Sequence, residues 1–245
     1  MNNPMIPLGT MELIYFQTYS IMNQNTRTII NLSTWDRAKS YEFYKNFLNP
    51  QASITAEVDC TIAYNDCKEN SCSFFRKYVY AILRSVNDIK ELKYRIEVND
   101  GEESVVLYDK ISLLTPIQIG KNGEFTTIKV PYHLTFEKFN KVIDEIISSI
   151  DKDNPEPYYA AQDTHSKGFS DVIVVSALPN LHFTSVSPTQ SCSFGSRKPL
   201  ITVGKAVMKE GKMMMPVAIS FHHGLCDGFH ISRFFELVEN YLKEL

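Results

Sequence analysis

The chain has 245 residues, of which 44% are hydrophobic, and it carries a formal net charge of -3 with a pI near 6.1. This length and composition allow a large core in one domain, and the lack of a long basic run disfavours nucleic acid and anionic membrane surfaces as partners. No apolar segment approaches the roughly 18 residues of a membrane span, so no transmembrane helix is predicted.

Residues 1–27 carry turn-forming and polar residues without clear periodicity. We predict that they form a poorly ordered extension outside a single domain of residues 28–245, with Met22 as an alternative start. The first basic residue is Arg27, so the positive start of a secretory signal is missing and a cytoplasmic location is expected.

The cysteines are five in number and show no CxxC spacing: Cys60, Cys67, Cys72, Cys192 and Cys226. This odd set argues against a disulfide framework or a zinc site, so free thiols and no metal are expected. Cys226 could be a nucleophile, but no separate base arrangement supports that role.

Hydrophobic periodicity predicts the elements of the first 150 residues. In chain order these are a strand at 28–32, a helix to residue 48, a strand at 53–63, a helix at 73–89, a hairpin of 93–98 and 104–108, a strand region at 113–130 broken at 120–123, and a helix at 135–150. The helix at 73–89 has the clearest apolar stripe.

The second part of the chain begins with a polar loop at 151–168. Four predicted strands follow at 171–178, 182–187, 200–207 and 213–221, and a long helix comes last. Strands outnumber helices without strict βα alternation, so the predicted class is α+β, with a mixed β-sheet flanked by helices.

The motif SFHHGLCDGFH, residues 220–230, joins the last strand to the last helix. Adjacent residues on a strand point to opposite faces, so only one of His222 and His223 can face a given cavity. We expect the His222 side chain to pack in the protein interior and the His223 side chain to take part in the reaction. Asp227 is well placed to cap the helix, and for a lone aspartate that is the commoner role.

The spacing HHxxxDG closely resembles the signature of chloramphenicol acetyltransferase and the wider family of coenzyme A-dependent acyltransferases. Three more segments share the resemblance: TWDRAKSYEFY with Trp35 and Arg37, VVSALPN with Ser176 placed 47 residues before His223, and the T-x-x-K pair of Thr202 and Lys205. Together they cover residues 28–245.

The resemblance implies a role for each matching residue. His223 would be the general base that takes the proton of an acceptor hydroxyl, and Ser176 would donate to the oxyanion. Thr202 would hold an ordered water, while Asp227 and Arg37 would form a buried pair that fixes the turn.

The resemblance also implies a two-layer sandwich, acetyl-CoA as co-substrate, no metal, and a homotrimer with its sites between subunits. His223 would come from one subunit and the aromatic wall of Phe43 and Tyr44 from its neighbour. The implied acceptor-binding residues are Phe43, Tyr44, Phe125 and Val186. The implied coenzyme A contacts are Lys205, Phe75 and Asn180.

Some positions depart from the family pattern. Asn180 replaces a tryptophan, Ala206 replaces a tyrosine, residues 73–75 replace Lys-Phe-Tyr, and residues 187–189 replace Asn-Leu-Asn. These positions belong to coenzyme A contacts and the acceptor pocket, so acyl transfer is more firmly implied than the identity of the acceptor.

The predicted function is transfer of acetyl from acetyl-CoA to a hydroxyl of chloramphenicol or a related small molecule. One alternative is an acyltransferase of the same mechanism with another acceptor, including the core of a 2-oxo acid dehydrogenase complex. Arg37 and the EFY cluster favour the chloramphenicol acetyltransferase-like function over the dehydrogenase core. The other alternative is a catalytically silent binding homologue, which would not need the five catalytic-type residues together.

Overall fold

The computed structural model describes residues 25–119, 125–150, 170–189 and 198–245. Its strands are β1 (Arg27–Ile29), β2 (Gln51–Asp59), β3 (Tyr94–Asn99), β4 (Glu102–Tyr108), β5 (Ser112–Gln118), β6 (Phe125–Val130), β7 (Val172–Leu178), β8 (Leu200–Gly204), β9 (Val207–Lys209) and β10 (Lys212–His222). Its helices are α1 (Ala38–Tyr44), α2 (Thr61–Glu69), α3 (Phe74–Asn87), α4 (Phe136–Ser149) and α5 (Gly228–Glu244), with a 3-10 turn at Lys90–Lys93.

The larger sheet has the strand order β2-β10-β8-β7-β5-β6, and β9 pairs with one end of β10. β7 runs parallel to both of its neighbours, and the other pairs are antiparallel. Helices cover this sheet, so the predicted α+β class with a mixed sheet flanked by helices is confirmed. No helix in the described ranges is long and apolar enough to span a membrane.

The main core lies between one face of the larger sheet and helices α3, α4 and α5. Val217 and Ile219 of β10 point into it, together with Val79 of α3 and Phe234 of α5. Ser73 caps the start of α3 by accepting the backbone N–H of Arg76. The apolar stripe predicted for α3 is its buried face.

A smaller antiparallel sheet, β1-β4-β3, helps to form a second apolar cluster. The Trp35 ring packs edge-on against Tyr94 at 5.0 Å between centroids, and Tyr41 of α1 joins the cluster. Leu225, from the turn after β10, is buried among them. This cluster attaches the turn that follows His222 to the segment that carries α1.

Three predicted elements differ from the structure. The strand predicted at 53–63 ends at Asp59, because the Asp59 carboxylate accepts the backbone N–H of Thr61 at 3.0 Å and starts α2, which was not predicted. The first helix ends at Tyr44 rather than residue 48. The strand at 200–207 divides into β8 and β9.

The strand predicted at 182–187 is wrong, since this segment pairs with no strand in the described part of the chain. A turn at Leu178–Leu181, closed by a 3.1 Å backbone hydrogen bond, directs the chain across the end of β8 instead.

Residues 25–27 belong to the fold, because Thr26 accepts the backbone N–H of Asp109 at 3.0 Å and Arg27 opens β1. The rest of the predicted extension, Met22, Cys192 and the loop at 151–168 lie outside the described residues.

Candidate active site

His222 is the last residue of β10, and only 2% of it is exposed. Its Nδ1 accepts the backbone N–H of Gly224 at 3.1 Å, so the ring closes the turn that follows it. A Cβ on Gly224 would lie 3.0 Å from the His222 ring and 3.1 Å from the Tyr41 backbone, which explains a glycine here. The prediction that His222 is packed is confirmed.

His223 leaves the strand and is half-buried. Its backbone N–H donates to the Pro50 carbonyl at 2.9 Å, and its ring stacks on Tyr44 with centroids 4.2 Å apart and planes 16° apart. Within the described residues, its Nδ1 is buried without a hydrogen-bond partner. Because buried ring nitrogens are normally paired, this atom marks a position where a partner or ordered water is needed.

Asp227 both caps α5 and forms an ion pair. One carboxylate oxygen accepts the backbone N–H of Phe229 at 3.1 Å, and the other accepts Nη1 of Arg37 at 3.0 Å. His230 completes a capping box, because its Nδ1 accepts the backbone N–H of Asp227 at 3.2 Å. One carboxylate therefore both caps the helix and pairs with Arg37, but the pair is not buried as predicted, since the Asp227 side chain is 39% exposed.

Charge and burial act in opposite directions on Asp227. Burial alone would raise its pKa, but the hydrogen bond from Arg37 and the positive charge of that side chain outweigh this effect and lower the pKa. The neighbouring Cys226 is fully buried, and burial raises the pKa of its thiol strongly. A thiol held neutral is a poor nucleophile, so burial disfavours a nucleophilic role for Cys226.

Ser176, Thr202 and Ala218 form a row across three adjacent strands. Ser176 of β7 is in register with Thr202 of β8, which faces Ala218 of β10. Their chain neighbours Val175, Ile201 and Val217 all point into the main core. Alternation therefore places the Ser176 and Thr202 side chains on the sheet face that turns away from the helices.

This row and His223 do not meet within one chain. The strand continues for four residues from Ala218 to His222, which is roughly 13 Å at about 3.3 Å per residue. The structure thus forms two separate groups: Ser176 lies beside Thr202, and His223 stacks on Tyr44.

Lys205 and Asn180 lie at one edge of the structure. The Lys205 backbone N–H donates to the Leu181 carbonyl at 2.8 Å, and the Lys205 carbonyl lies 2.9 Å from His182 Nδ1. These contacts hold the segment that follows β7 against the end of β8. Both predicted side chains are exposed there.

The other predicted binding residues are dispersed. Phe75 packs edge-on against Tyr78 at the start of α3. Phe125 starts β6, four strands from β10 and so roughly 19 Å away at about 4.8 Å per strand. Val186 is half-buried in the irregular segment after β7.

The structure corrects one expectation about the aromatic wall of Phe43 and Tyr44. The resemblance implied that Tyr44 comes from a neighbouring subunit, but here Tyr44 stacks on His223 of its own chain. Phe43 turns outward with 61% of its surface exposed. Because α1 is anchored beneath the histidine turn by the cluster of Trp35, Tyr41 and Leu225, its C-terminal end lies beside His223.

Two contributors were missed from the sequence. Pro50, which binds the His223 backbone, shows no motif, because its role depends on β2 pairing beside β10. No role is assigned to His230 from the sequence, although the Asp-x-x-His spacing at the start of a helix is a usable signal for a capping box.

Solved structures place this fold among acyltransferases. A probable dihydrolipoamide acetyltransferase from Listeria monocytogenes has a TM-score of 0.52 at 16% identity, covering 90% of this chain and 95% of that one, which is a likeness of fold alone. A solved chloramphenicol acetyltransferase is much more similar, with a TM-score of 0.82 and 42% identity over 89% of this chain and 100% of that one.

The chain belongs to the chloramphenicol acetyltransferase family, whose family model matches residues 22–239. A chloramphenicol acetyltransferase of Proteus mirabilis is 28% identical over 216 residues, covering 88% of this chain and 94% of that protein. Another from Staphylococcus intermedius is 27% identical over 223 residues, covering 90% and 98%.

Proposed function

We propose that this protein transfers the acetyl group of acetyl-CoA to a hydroxyl of chloramphenicol or a closely related small molecule. Family membership supports the reaction class, since the similar proteins are named for that reaction. The single observation that carries the proposal in this chain is the fixed placement of His223, stacked on Tyr44 beside the turn that Arg37 and Asp227 anchor.

In the proposed mechanism, His223 takes the proton of the acceptor hydroxyl as its oxygen attacks the thioester carbonyl. An imidazole suits this step because its ordinary pKa lies near neutrality. Arg37 and Asp227 act on position rather than on the proton, because their ion pair holds the start of α5 just after the histidine turn.

Ser176 is proposed to donate its hydroxyl proton to the oxyanion that forms on the attacked carbonyl. Thr202, its neighbour in register, is proposed to hold a water at the same centre. One well-placed donor of this kind contributes roughly 2.7–4 kcal/mol to the stability of the transition state.

The distance between the Ser176 row and His223 supports a site completed by a second copy of the chain. Roughly 13 Å of strand separates the two groups within one chain. Exposed apolar side chains surround α1, where Phe43, Phe47 and Leu48 are 61%, 46% and 105% exposed. We therefore propose a homotrimer in which His223 of one subunit meets Ser176 of the next.

Acetyl-CoA is proposed to lie along the edge that carries Lys205 and Asn180. The exposed ammonium of Lys205 suits the phosphates of that substrate, and Asn180 offers a polar amide where the family has an indole. The Leu181 carbonyl, bound to the Lys205 backbone, keeps these two side chains on one edge. Phe75 stays a predicted contact.

The identity of the acceptor is less well defined than that of the acetyl donor. Phe43, Tyr44, Phe125 and Val186 remain its predicted contacts, and Tyr44 is beside His223 in this chain. A single changed apolar contact alters discrimination between substrates by about 1–3 kcal/mol, so acceptor choice is the property most open to change in this family member. A cytoplasmic location also stays a prediction.

The testing experiment is release of free coenzyme A, followed with a thiol reagent, from purified protein and acetyl-CoA. Chloramphenicol is compared with a panel of other hydroxyl compounds and with an analogue whose hydroxyls are blocked. Release that requires the free hydroxyl supports the proposal. Release only with another acceptor would keep the mechanism and exclude chloramphenicol, and no release with any acceptor would favour a silent binding protein.

The trimer is tested separately by sedimentation equilibrium. Mixing His223→Ala and Ser176→Ala proteins after subunit exchange provides a functional test, since a site shared between subunits regains activity in mixed trimers. No recovery in exchanged mixtures would contradict a shared site.

A further inference from the structure

The turn between α2 and α3 has a backbone conformation that brings Cys67 and Cys72 together. Ser71 has a positive φ of 52°, and the backbone N–H of Cys72 donates to the Cys67 carbonyl at 3.1 Å. This is the six-to-one hydrogen bond of a Schellman motif, in which the residue after the turn packs over the last helical turn. The packed pair is usually apolar, but here it is Cys67 and Cys72.

The two thiols are close, and their exposure is unequal. The Cys67 sulfur, the Cys72 sulfur and an Asp66 carboxylate oxygen all lie within 4.8 Å of one another. Cys67 is 7% exposed, whereas Cys72 is open to solvent. An accessible thiol beside a sheltered partner is the arrangement in which one sulfur reacts first and the other resolves the product.

The remaining described cysteines are different. Cys60 donates its thiol to the Met213 carbonyl at 3.2 Å, and burial raises its pKa to about 12. Cys226 is also fully buried with a raised pKa. Since the thiolate is the reactive form, these two thiols serve as internal references that should not react in the folded protein.

The arrangement around Asp66 disfavours a metal at this position. One carboxylate oxygen accepts the Asn70 amide at 2.8 Å, and the other accepts both the Lys77 ammonium and the Cys72 thiol. Lys77 is only 2% exposed, and its buried ammonium is held by that carboxylate together with the Leu245 carbonyl oxygen. A cation bound to Asp66 would displace the ammonium from its partner.

We propose that Cys67 and Cys72 form a site of reversible thiol oxidation, closed as an intrachain disulfide by small organic disulfides. The Cys72 thiolate attacks one sulfur of the organic disulfide, forming a mixed disulfide and releasing the first thiolate, which takes up a proton. The Cys67 thiolate then attacks the Cys72 sulfur and releases the second thiol. The protein pair loses two electrons and two protons, and the organic disulfide becomes two thiols.

The test uses intact protein carrying Cys192→Ser, so that the cysteine outside the described residues cannot contribute. Folded protein is treated with oxidised glutathione, quenched in acid, alkylated under denaturing conditions and mapped by peptide mass spectrometry. The expected product links Cys67 to Cys72, with Cys60 and Cys226 alkylated. Reduced glutathione should restore all four thiols.

Two single variants separate the order of attack. Cys67→Ser should stop at a mixed disulfide on Cys72, and Cys72→Ser should leave Cys67 unmodified because it is sheltered. Cys67→Ala replaces Cys67→Ser if the serine variant does not fold, since alanine adds no buried hydroxyl.

Three outcomes would overturn the proposal. One is a parent protein that remains fully reduced, and another is one that stops at glutathione on Cys72. The third is protection of both thiols by Zn²⁺ alone, with no disulfide formed afterwards, which would assign a metal site instead.

Discussion

Arg37 and Asp227 are 190 residues apart in the chain, and their side chains meet at 3.0 Å. Arg37 immediately precedes α1, which carries Tyr44, and Asp227 begins α5 after the histidine turn. The pair therefore joins the two segments whose aromatic and imidazole rings stack at the candidate site. Most of the expected mutational effects follow from this connection.

Replacing His223 by alanine should lower turnover by about 10²–10⁴-fold, because the general base is removed while the backbone bond to Pro50 is kept. The measurement is coenzyme A release under saturating substrates, with circular dichroism to confirm folding. His133→Asn, between β6 and α4, is the matched control and should keep turnover. Near-normal turnover of the His223 variant would contradict its assignment as base.

Ser176→Ala should lower kcat by about 10²–10³-fold with little change in KM for either substrate, because an oxyanion donor acts in the transition state. Initial-rate kinetics over both substrates provide the measurement. Thr115→Val is a suitable control, since Thr115 binds the Val175 carbonyl beside this strand but is not in the row. An effect confined to KM would exclude the oxyanion role.

Tyr44→Ala should lower kcat by about tenfold, since loss of a stacked ring of about 0.5–1.5 kcal/mol leaves the His223 imidazole free to change orientation. Tyr44→Phe keeps the stack and should retain most of the activity. The pair of variants is compared by kcat and by melting temperature. If Tyr44→Phe loses as much kcat as Tyr44→Ala, activity depends on the Tyr44 hydroxyl rather than on ring stacking.

Arg37→Ala should destabilise the protein by about 1–3 kcal/mol, because the Arg37 side chain is 10% exposed and its loss leaves a partly buried carboxylate without its charged donor. For a chain of this size the melting temperature should fall by about 2–12 °C. A double-mutant cycle with Asp227→Asn isolates the pair. Additive effects of the two substitutions would show that they are not coupled.

The lowered pKa of Asp227 also predicts a pH dependence. Folded Asp227 holds its proton less tightly than the unfolded chain, so its stabilising contribution is complete above the unfolded pKa of about 3.9 and is lost as pH falls through the lower folded value. Urea unfolding between pH 6 and pH 3 should therefore show a shallower acid loss for Asp227→Asn than for the wild-type chain. Parallel curves would contradict the linkage.

The sequence alone identified the histidine turn, the long final helix, the stripe of α3 and the α+β class, because each depends on local periodicity or on a compact motif. It also paired Arg37 with Asp227, through a resemblance that covers most of the chain. The short helix α2 was missed because its start depends on the Asp59 carboxylate, which a strand-like pattern conceals. The strand expected at 182–187 was wrong because alternation cannot show whether a partner strand is present.

Tertiary structure decided which of the predicted site residues meet. Ser176 and Thr202 share a row because β7 and β8 are parallel and in register, and His223 lies beside Tyr44 because a buried cluster holds α1 under the turn. Strand order separates Phe125 from that turn. Residue types and short spacings determine local structure and the chemistry that each side chain can perform. Distances between remote residues arise only from strand register and packing, which no local pattern contains.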